Sequence, residues 1–250
     1  MGSEQAAQQF ARTDVDQAGV HELEIMAHAK NYHRWTYEVA RPYIGRRVVE
    51  IGGGLGSFSR FLLDRNRLVI IDYDAACTSR LRERFGALGQ VRVVDGDILD
   101  PGLPGQLRQE GLDTAVCMNV LEHIEDDAKA LQHIFESLEP GGQLILLVPA
   151  HPSLYGTLDA LVGHYRRYTR AELTEKMRAA GFSIQRASYF NSAGALGRYV
   201  IGRLRRQEKT GIGQVQFYDR IVVPILSRME RIVSPPFGQS VIVIGRKRLA

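Results

Sequence analysis

The stretch Glu50-Ile51-Gly52-Gly53-Gly54-Leu55-Gly56 decides the fold class of this 250-residue chain. It ends a short apolar run, residues 47–51, with glycines in G-x-G-x-G spacing, and a helical pattern from Phe58 to Leu63 follows. Glycines after a buried strand let the backbone turn tightly and approach a ligand without a Cβ in the way. The stretch therefore predicts a nucleotide-cofactor turn between a strand and a helix.

The spacing of these glycines separates two classes of cofactor. A dinucleotide-binding turn has the pattern G-x-G-x-x-G, which places a pyrophosphate on the helix N-terminus. Ser57 stands here at the position of the third glycine of that pattern. An adenosine cofactor without a phosphate needs close approach rather than a phosphate cradle, so the spacing favours it. A tight turn in some other α/β protein stays the alternative.

Strand and helix patterns alternate outward from the glycine turn. Apolar runs typical of buried strands occupy residues 47–51, 68–71, 91–94, 114–118, 142–148, 182–189 and 240–245, and helical patterns occupy residues 20–43, 75–85, 126–138 and 170–180. Continuous apolar runs separated by helices are typical of a parallel sheet covered on both faces. We expect one α/β domain over residues 20–250, after a flexible N-terminus at residues 1–19.

A segment of about fifty residues, 190–239, separates the last two predicted strands and is too long for a plain loop. It predicts a helical insertion that includes an apolar stretch at residues 221–232. A lid is the first hypothesis for its role, because a lid would exclude water from the site, and a dimer surface or a membrane-surface patch are the others. Its cationic side chains are Arg198, Arg203, Arg205, Arg206 and Lys209.

Polar residues follow three of the predicted strands at the edge where ligands bind to such sheets. Asp72 ends the second strand, Asp97 follows the third, and Asn119 follows the fourth. The ligand crevice of an open α/β sheet lies outside the carboxyl ends of its strands. Asp72 can accept both ribose hydroxyls, Asp97 the adenine amino group, and the Asn119 carbonyl a cationic amino acid group. Each residue alone also fits a helix cap or a turn.

These motifs, with Asn119-Val120-Leu121-Glu122-His123-Ile124-Glu125-Asp126 and Leu138-Glu139-Pro140-Gly141-Gly142, resemble in order and spacing those of the class I S-adenosylmethionine-dependent methyltransferases. The resemblance covers residues 30–190. It implies a Rossmann-like seven-stranded sheet whose last strand is antiparallel, and S-adenosylmethionine as the cofactor. The residues expected to line that cofactor are Tyr32, Glu50, Gly52, Gly54, Asp72, Tyr73, Asp97, Ile98 and Asn119.

Segments 31–35, 149–156 and 163–168 further resemble a bacterial subgroup that acts on small molecules, with uncertain substrates. Some of its members occur beside glycosyltransferase or natural-product genes. The resemblance implies methyl transfer to a small-molecule acceptor at oxygen, nitrogen or carbon, in secondary metabolism. One alternative is cyclisation of S-adenosylmethionine with release of methylthioadenosine. A further alternative is a non-catalytic protein that binds S-adenosylmethionine as the partner of another enzyme.

Candidate catalytic residues follow the fifth strand. Methyl transfer is an in-line displacement that needs a general base only when the acceptor must lose a proton. His164 and His151 are the candidates for that base, and Tyr165 is a candidate for lining the pocket or facing the sulfonium. His123 is interpreted as architectural. Arg166-Arg167 form either a clamp for an anionic substrate or a solvated charge pair.

Composition limits the other possibilities. The net charge is +4, and the two cysteines, Cys77 and Cys117, lie in no Cys-x-x-Cys or Cys/His cluster, which predicts neither a metal site nor a disulfide. We therefore expect a reducing, cytoplasmic location. No apolar run reaches the roughly 18 residues of a membrane-spanning helix, so only peripheral membrane contact is compatible. No dense basic tract is interleaved with aromatic residues, so we expect no nucleic acid partner, and a monomer or homodimer.

Overall fold

Seven strands form one sheet in the computed structural model, which describes residues 19–195 and 211–248. They are β1 Arg47–Ile51, β2 Arg67–Asp72, β3 Val91–Asp95, β4 Leu112–Met118, β5 Leu138–Pro149, β6 Phe182–Phe190 and β7 Ser240–Lys247. Their order is β3-β2-β1-β4-β5-β7-β6. Neighbours from β3 to β5 pair in parallel, and β7 is antiparallel to both β5 and β6. The predicted seven-stranded sheet with an antiparallel last strand is confirmed.

Helices cover both faces of this sheet. Their bounds are α1 at 19–26, α2 Lys30–Ala40, α3 Ala75–Phe85, α4 Leu103–Arg108, α5 Asp127–Ser137, α6 Thr157–Leu161, α7 Arg170–Ala179, α8 at 192–195, α9 Ile212–Phe217 and α10 Val223–Ile232. Side-chain caps fix the start of the longer ones. The Asp126 carboxylate accepts the Lys129 N–H at 3.0 Å, and the Thr169 hydroxyl accepts the Glu172 N–H at 3.1 Å. Each cap satisfies a backbone donor that the first helical turn leaves unpaired.

Alternate side chains of the strands enter two separate cores. Val49 and Val69 belong to the core under α4, α5 and α7, whereas Val48 and Leu68 belong to the core beside α2, α3 and α10. All four side chains are fully buried. Burial on both faces explains why these strands are continuous apolar runs rather than alternating ones.

Two predicted helices differ from the observed ones. The segment predicted as a helix from Phe58 to Leu63 contains only a 3-10 turn, Ser59–Phe61. The reason is length, because β2 begins already at Arg67 and the chain must cross back from the glycine turn within one short connection. The helix predicted over residues 20–43 is interrupted at residues 27–29, which divide α1 from α2.

The predicted insertion is helical where the structure describes it, and it packs on α2. The Asp219 carboxylate accepts the N–H groups of Asn31 at 3.1 Å and Tyr32 at 2.8 Å. These are donors of the first turn of α2, so a residue almost two hundred positions away caps that helix. The five cationic residues between Arg198 and Lys209 lie outside the described residues, as do residues 1–18 of the predicted flexible N-terminus.

The outward side of this insertion is apolar. Phe217, Ile221, Ile225 and Met229 recur at four-residue spacing and are 66%, 52%, 58% and 61% exposed. The opposite side of the same segment is buried, with Val223 at 1%. Within residues 19–195 and 211–248, no helix combines the length and hydropathy that a bilayer crossing requires. The lid, dimer-surface and membrane-surface hypotheses for the insertion stay predictions.

Candidate active site

The carboxyl ends of β1, β2 and β4 lie side by side and bring the predicted site residues together. The N–H groups of Gly52 and Gly53 donate to the Ile71 carbonyl at 2.8 and 3.1 Å, which fastens the glycine turn to the end of β2. On the other side of β1, the Asn119 N–H donates to the Leu147 carbonyl at 2.8 Å. The strand order β2-β1-β4 therefore gathers these groups at one edge of the sheet.

Each glycine of the G-x-G-x-G pattern has a positive φ: 74° at Gly52, 51° at Gly54 and 74° at Gly56. Side chains also leave no room at two of them, because a Cβ on Gly52 would lie 2.2 Å from Cγ2 of Val120, and one on Gly56 2.5 Å from Cε2 of Phe85. Only glycine satisfies both conditions without strain. The turn thus places backbone without side chains at the predicted cofactor edge.

Gly54 is buried in this turn beside α1. The described atoms nearest to a Cβ there belong to Leu23 of α1, the closest at 3.3 Å, so α1 lies across the turn. The Gly54 N–H donates to Oδ2 of Asp72 at 2.7 Å, and Oδ1 of Asp72 accepts the Asp74 N–H at 3.0 Å. Burial raises the pKa of Asp72, and these backbone hydrogen bonds oppose the rise. The carboxylate predicted to bind the ribose is therefore held against the glycine turn.

Glu50 presents a buried carboxylate at the end of β1. The residue is 3% exposed, and its Oε2 has no hydrogen-bond partner among the described residues. Burial raises the pKa of Glu50 to about 8, with the nearby Asp72 charge adding to the rise and the Ser59 hydroxyl opposing it. A buried polar atom without a partner costs free energy, so this oxygen is suited to a ligand that carries a donor or a cation.

The residues at this edge fit S-adenosylmethionine. That cofactor carries a sulfonium and an ammonium cation, and the edge offers the buried carboxylates of Glu50 and Asp72 beside a turn without side chains. Opposite charge nearby favours the ionised form of a carboxylate, so a cationic ligand would offset the cost of burying these groups.

The remaining predicted cofactor residues lie around this centre with different exposure. Tyr73 is 73% exposed after β2, whereas the Ile98 side chain is in the core. Asp97 is exposed, and its carboxylate also caps its own turn by accepting the Leu99 N–H at 2.9 Å. Burial raises the pKa of Tyr32, and the nearby polar side chains of Ser240 and Asn119 oppose the rise. The assignment of all these residues to cofactor binding stays a prediction.

The histidine His164 is fixed beside this edge by a buried carboxylate. Its Nδ1 lies 3.0 Å from Oδ1 of Asp159, and its side chain is 12% exposed. Arg167 holds the same carboxylate, with Nε and Nη2 each 2.8 Å from Oδ1. Asp159 therefore orients the imidazole and leaves Nε2 as the ring nitrogen available to a ligand.

His164 belongs to a cluster with Glu122 and His123, in which one ligand atom from each residue lies within 4.8 Å of the others. The two imidazole rings meet edge to face at 4.5 Å. Burial raises the pKa of Glu122 to about 7, which the nearby His164 opposes, and burial lowers the pKa of His123 to about 4. Glu122 was not among the site residues predicted from the sequence. The signal for it was its place just after Asn119, at the ligand edge.

The other candidate catalytic residues have different surroundings. The His151 ring stacks on Tyr189, with centroids 5.0 Å apart and planes 15° apart. The Tyr165 side chain is 53% exposed, while its N–H donates to the Glu122 carbonyl at 2.8 Å. Neither observation tests the predicted roles of these two residues.

The arginine clamp proposed for an anionic substrate is wrong, because both guanidinium groups are engaged within the chain. Arg167 is 4% exposed and pairs with Asp159, and Arg166 pairs with Asp127 at 2.9 Å. The alternative of a solvated pair is equally wrong for Arg167, because this residue is buried. These residues stabilise the loop after β5 instead.

Known proteins resemble this chain in sequence and in fold. A probable S-adenosylmethionine-dependent methyltransferase of Mycolicibacterium smegmatis is 31% identical over 157 residues, which cover 61% of this chain and 58% of that protein. The ubiquinone/menaquinone biosynthesis C-methyltransferase UbiE of Vibrio campbellii is 27% identical over 66% of this chain and 60% of its own length. The chain thus spans about three fifths of the length of these relatives.

A solved structure with the same fold is the [4+2]-cyclase SpnF, with a TM-score of 0.59 and 18% identity over 87% of this chain and 82% of that one. Such low identity shows the fold alone. The family model described as a methyltransferase domain matches residues 23–187, which include the glycine turn, Asp72, Asn119 and the histidine cluster. The chain therefore belongs to the methyltransferase-domain family, within the class I S-adenosylmethionine-dependent methyltransferases.

Proposed function

We propose that this chain transfers a methyl group from S-adenosylmethionine to a small-molecule acceptor in a biosynthetic pathway. The observation that carries the proposal is the placement of His164 and the buried Glu122 at the same sheet edge as the glycine turn and Asp72. A methyltransferase needs a site that binds a cationic donor next to groups that can handle the acceptor's proton. Both kinds of group are present at this edge.

The donor side of the site consists of Glu50, Asp72 and the glycine turn. When bound, S-adenosylmethionine supplies an electrophilic methyl group on a sulfonium, and its transfer leaves S-adenosylhomocysteine. Glu50 and Asp72 would hold the cationic and ribose parts of the donor, and the absence of side chains at Gly52 and Gly54 would permit its close approach. Because the methyl group is already activated, alignment and exclusion of water supply much of the rate.

The acceptor side consists of the Glu122, His123 and His164 cluster and the loop above it. A hydroxyl or amine acceptor must lose a proton when the new bond to the methyl carbon forms. We assign His164 to that event, because Asp159 fixes its ring and Nε2 is available. The exposed rings of Tyr155 and Tyr165, at 42% and 53%, border this loop and are suited to a small aromatic or alicyclic acceptor.

Product analysis tests the proposed reaction. We expect S-adenosylhomocysteine to accumulate when the protein, S-adenosylmethionine and a panel of phenolic and polyol acceptors are incubated together, with methyl transfer followed by mass spectrometry. Methylthioadenosine formed without an acceptor would instead support cyclisation of S-adenosylmethionine. Tight binding of S-adenosylmethionine with neither product, in the presence of an extract that supplies acceptors, would support the non-catalytic alternative. Controls without protein measure spontaneous breakdown of the donor.

The affinity for S-adenosylmethionine is expected to rise with pH between about 6 and 7.5. The pKa of Glu50 is raised to about 8, so the group is largely neutral at pH 6 and gains charge as the pH rises. A cationic ligand prefers the charged form, which gives at most about a tenfold gain per pH unit for one group. The rise ends near pH 7.5 because α-amino groups titrate at about 7.7–8.0. Above that pH the ammonium group of S-adenosylmethionine loses its positive charge.

Glu50→Gln isolates the contribution of this carboxyl. The variant is expected to bind more weakly at pH 7.5 and to show a flatter pH dependence in isothermal titration calorimetry, and the exposed Glu139→Gln serves as its matched control. An affinity that falls as the pH rises, or a Glu50→Gln profile as steep as that of the unchanged protein, contradicts the assignment of Glu50 to the donor's cation.

A further inference from the structure

We propose that Glu122, His123 and His164 form a binding site for one divalent transition-metal ion such as Zn²⁺, and that this ion binds an oxygen of the acceptor. The first half of the proposal concerns this cluster alone. The second half rests on the proposed methyl transfer, because it names the class of acceptor. An oxygen acceptor with a neighbouring oxygen, such as a vicinal diol or an ortho-dihydroxy ring, would bind such an ion through both oxygens.

The donor set matches the ion. One carboxylate oxygen and two imidazole nitrogens are common ligands of catalytic zinc sites, which keep a further position open for water or substrate. The three ligand atoms lie within 4.8 Å of one another. Donors bound to one zinc ion lie roughly 3.3 Å apart, since each bond is about 2.0–2.2 Å long, so small side-chain rotations suffice to bring them together.

The state of Glu122 is an independent observation that points to a cation. The residue is fully buried, and neither carboxylate oxygen accepts a hydrogen bond from another described residue. Buried carboxylates are normally paired or bind metals, because an isolated one costs several kcal/mol. Both oxygens therefore lack the partner that a bound cation would provide.

His164 is already oriented from behind, as metal-binding histidines usually are. Its Nδ1 pairs with Asp159, whose carboxylate is also held by Arg167. His164 thus has one ring nitrogen engaged and the other available, and the His123 ring meets it edge to face with centroids 4.5 Å apart.

The loop after β5 places the cluster at an accessible position. The Tyr155 hydroxyl donates to the His164 carbonyl at 2.7 Å, and the Tyr165 N–H donates to the Glu122 carbonyl at 2.8 Å. These bonds hold the loop over the turn that carries Glu122 and His123. Because His164 and His123 are only partly buried, the cluster opens on their side and an ion can enter there.

A bound ion would lower the pKa of an acceptor hydroxyl. In this case His164 acts as a ligand of the ion and no longer takes the acceptor's proton. The hydroxyl proton leaves to solvent, an electron pair of the oxygen forms the new bond to the methyl carbon, and the carbon–sulfur bond breaks with its pair passing to sulfur. The positive charge of the sulfonium and the negative charge of the oxygen cancel.

Cysteine spacing predicted no metal site. It could not reveal this cluster, since all three ligands are non-cysteine and His164 is distant in sequence.

Metal titration of the whole chain tests the site without requiring turnover. After treatment with a chelator, the protein is titrated with Zn²⁺ against a chromophoric competitor, and with Co²⁺ while its visible absorption is followed. We expect one ion to bind per chain. We also expect the bound Co²⁺ to show the intense visible absorption of a coordination geometry of low symmetry. Glu122→Gln and His123→Ala are expected to lower the Zn²⁺ affinity at least tenfold. The exposed His28→Ala and the stacked His151→Ala are the controls, with unchanged affinity expected.

The outcomes separate this inference from the proposed reaction. Stoichiometric Zn²⁺ binding that both cluster variants weaken supports the site, even if no acceptor is methylated. Failure to bind Zn²⁺ or Co²⁺, or equal affinity in Glu122→Gln, His123→Ala and the controls, overturns it. Full methyl transfer by chelator-treated protein would overturn the binding of the acceptor to the ion and leave the proposed reaction standing. Circular dichroism confirms that each variant is folded, and the two cluster variants keep the test valid if one of them is not.

Discussion

Replacing Gly54 by valine is expected to abolish binding of S-adenosylmethionine while the sheet remains folded. Gly54 has φ 51°, in the left-handed region that a β-branched residue adopts only with strain. Its N–H also holds Oδ2 of Asp72 at 2.7 Å, so a shift of the turn displaces the carboxylate expected to bind the ribose. We expect at least a 100-fold loss of affinity, equivalent to about 2.7 kcal/mol.

The fold should survive this substitution because of what surrounds Gly54. Among the described residues, the three atoms nearest to a Cβ at this position belong to Leu23 of α1, the closest at 3.3 Å, and Leu23 is itself 38% exposed. At Gly52 the corresponding Cβ would lie 2.2 Å from Cγ2 of Val120, next to the sheet, and the same substitution there would disturb packing as well. Gly54 is therefore the position at which loss of binding is least confounded with loss of structure.

Calorimetric titration with S-adenosylmethionine and thermal unfolding followed by circular dichroism measure the two effects separately. Gly105→Ala in α4 is the matched control, because no atom lies within 4 Å of the added Cβ and alanine suits a helix better than glycine. Unchanged affinity in Gly54→Val would place the cofactor away from this turn. A collapse of the unfolding transition would show that the turn is needed for the fold itself.

The donor half of the site was predictable from the sequence because it depends on local patterns. Glycine spacing fixes a turn, apolar runs fix strands, and parallel neighbours align the positions of Glu50, Asp72 and Asn119 at one edge. These relations need no knowledge of side-chain contacts. The 3-10 turn after the glycines escaped prediction because its length is set by where β2 begins, not by the residues within it.

The acceptor half was not predictable in the same way, because its members meet only in three dimensions. Asp159 comes from α6, His164 from the loop after it, and Glu122 from the turn after β4. Arg167 has the sequence context of a surface residue, yet it is buried because Asp159 neutralises it. Asp219 likewise caps α2 by accepting the N–H of Tyr32, although the two residues are 187 positions apart in the sequence. No local pattern encodes this contact.

Removing the His164 imidazole is expected to have the largest effect on turnover. His164→Ala should lower kcat by about 10²–10⁴-fold, the usual contribution of a positioned proton-handling group. The loss is expected whether the ring takes the acceptor's proton or binds an ion that lowers its pKa, and the Zn²⁺ titration separates these roles. Affinity for S-adenosylmethionine should stay within about threefold of the original, since the assigned donor contacts come from other residues.

The folded state should tolerate His164→Ala better than a change at Asp159. Without the imidazole, the Asp159 carboxylate keeps Arg167, whose Nε and Nη2 each lie 2.8 Å away. Removing Asp159 instead would leave Arg167 as a buried unpaired charge, which typically costs about 3–5 kcal/mol. His151→Ala tests the other candidate base on the same loop, and it should retain most of the activity because the acceptor's proton is assigned to His164. If His164→Ala turns over as fast as His151→Ala, with a product confirmed by mass spectrometry, the acceptor is not handled at this cluster. The reaction would then depend on alignment alone, as the chemistry of an already activated methyl group allows.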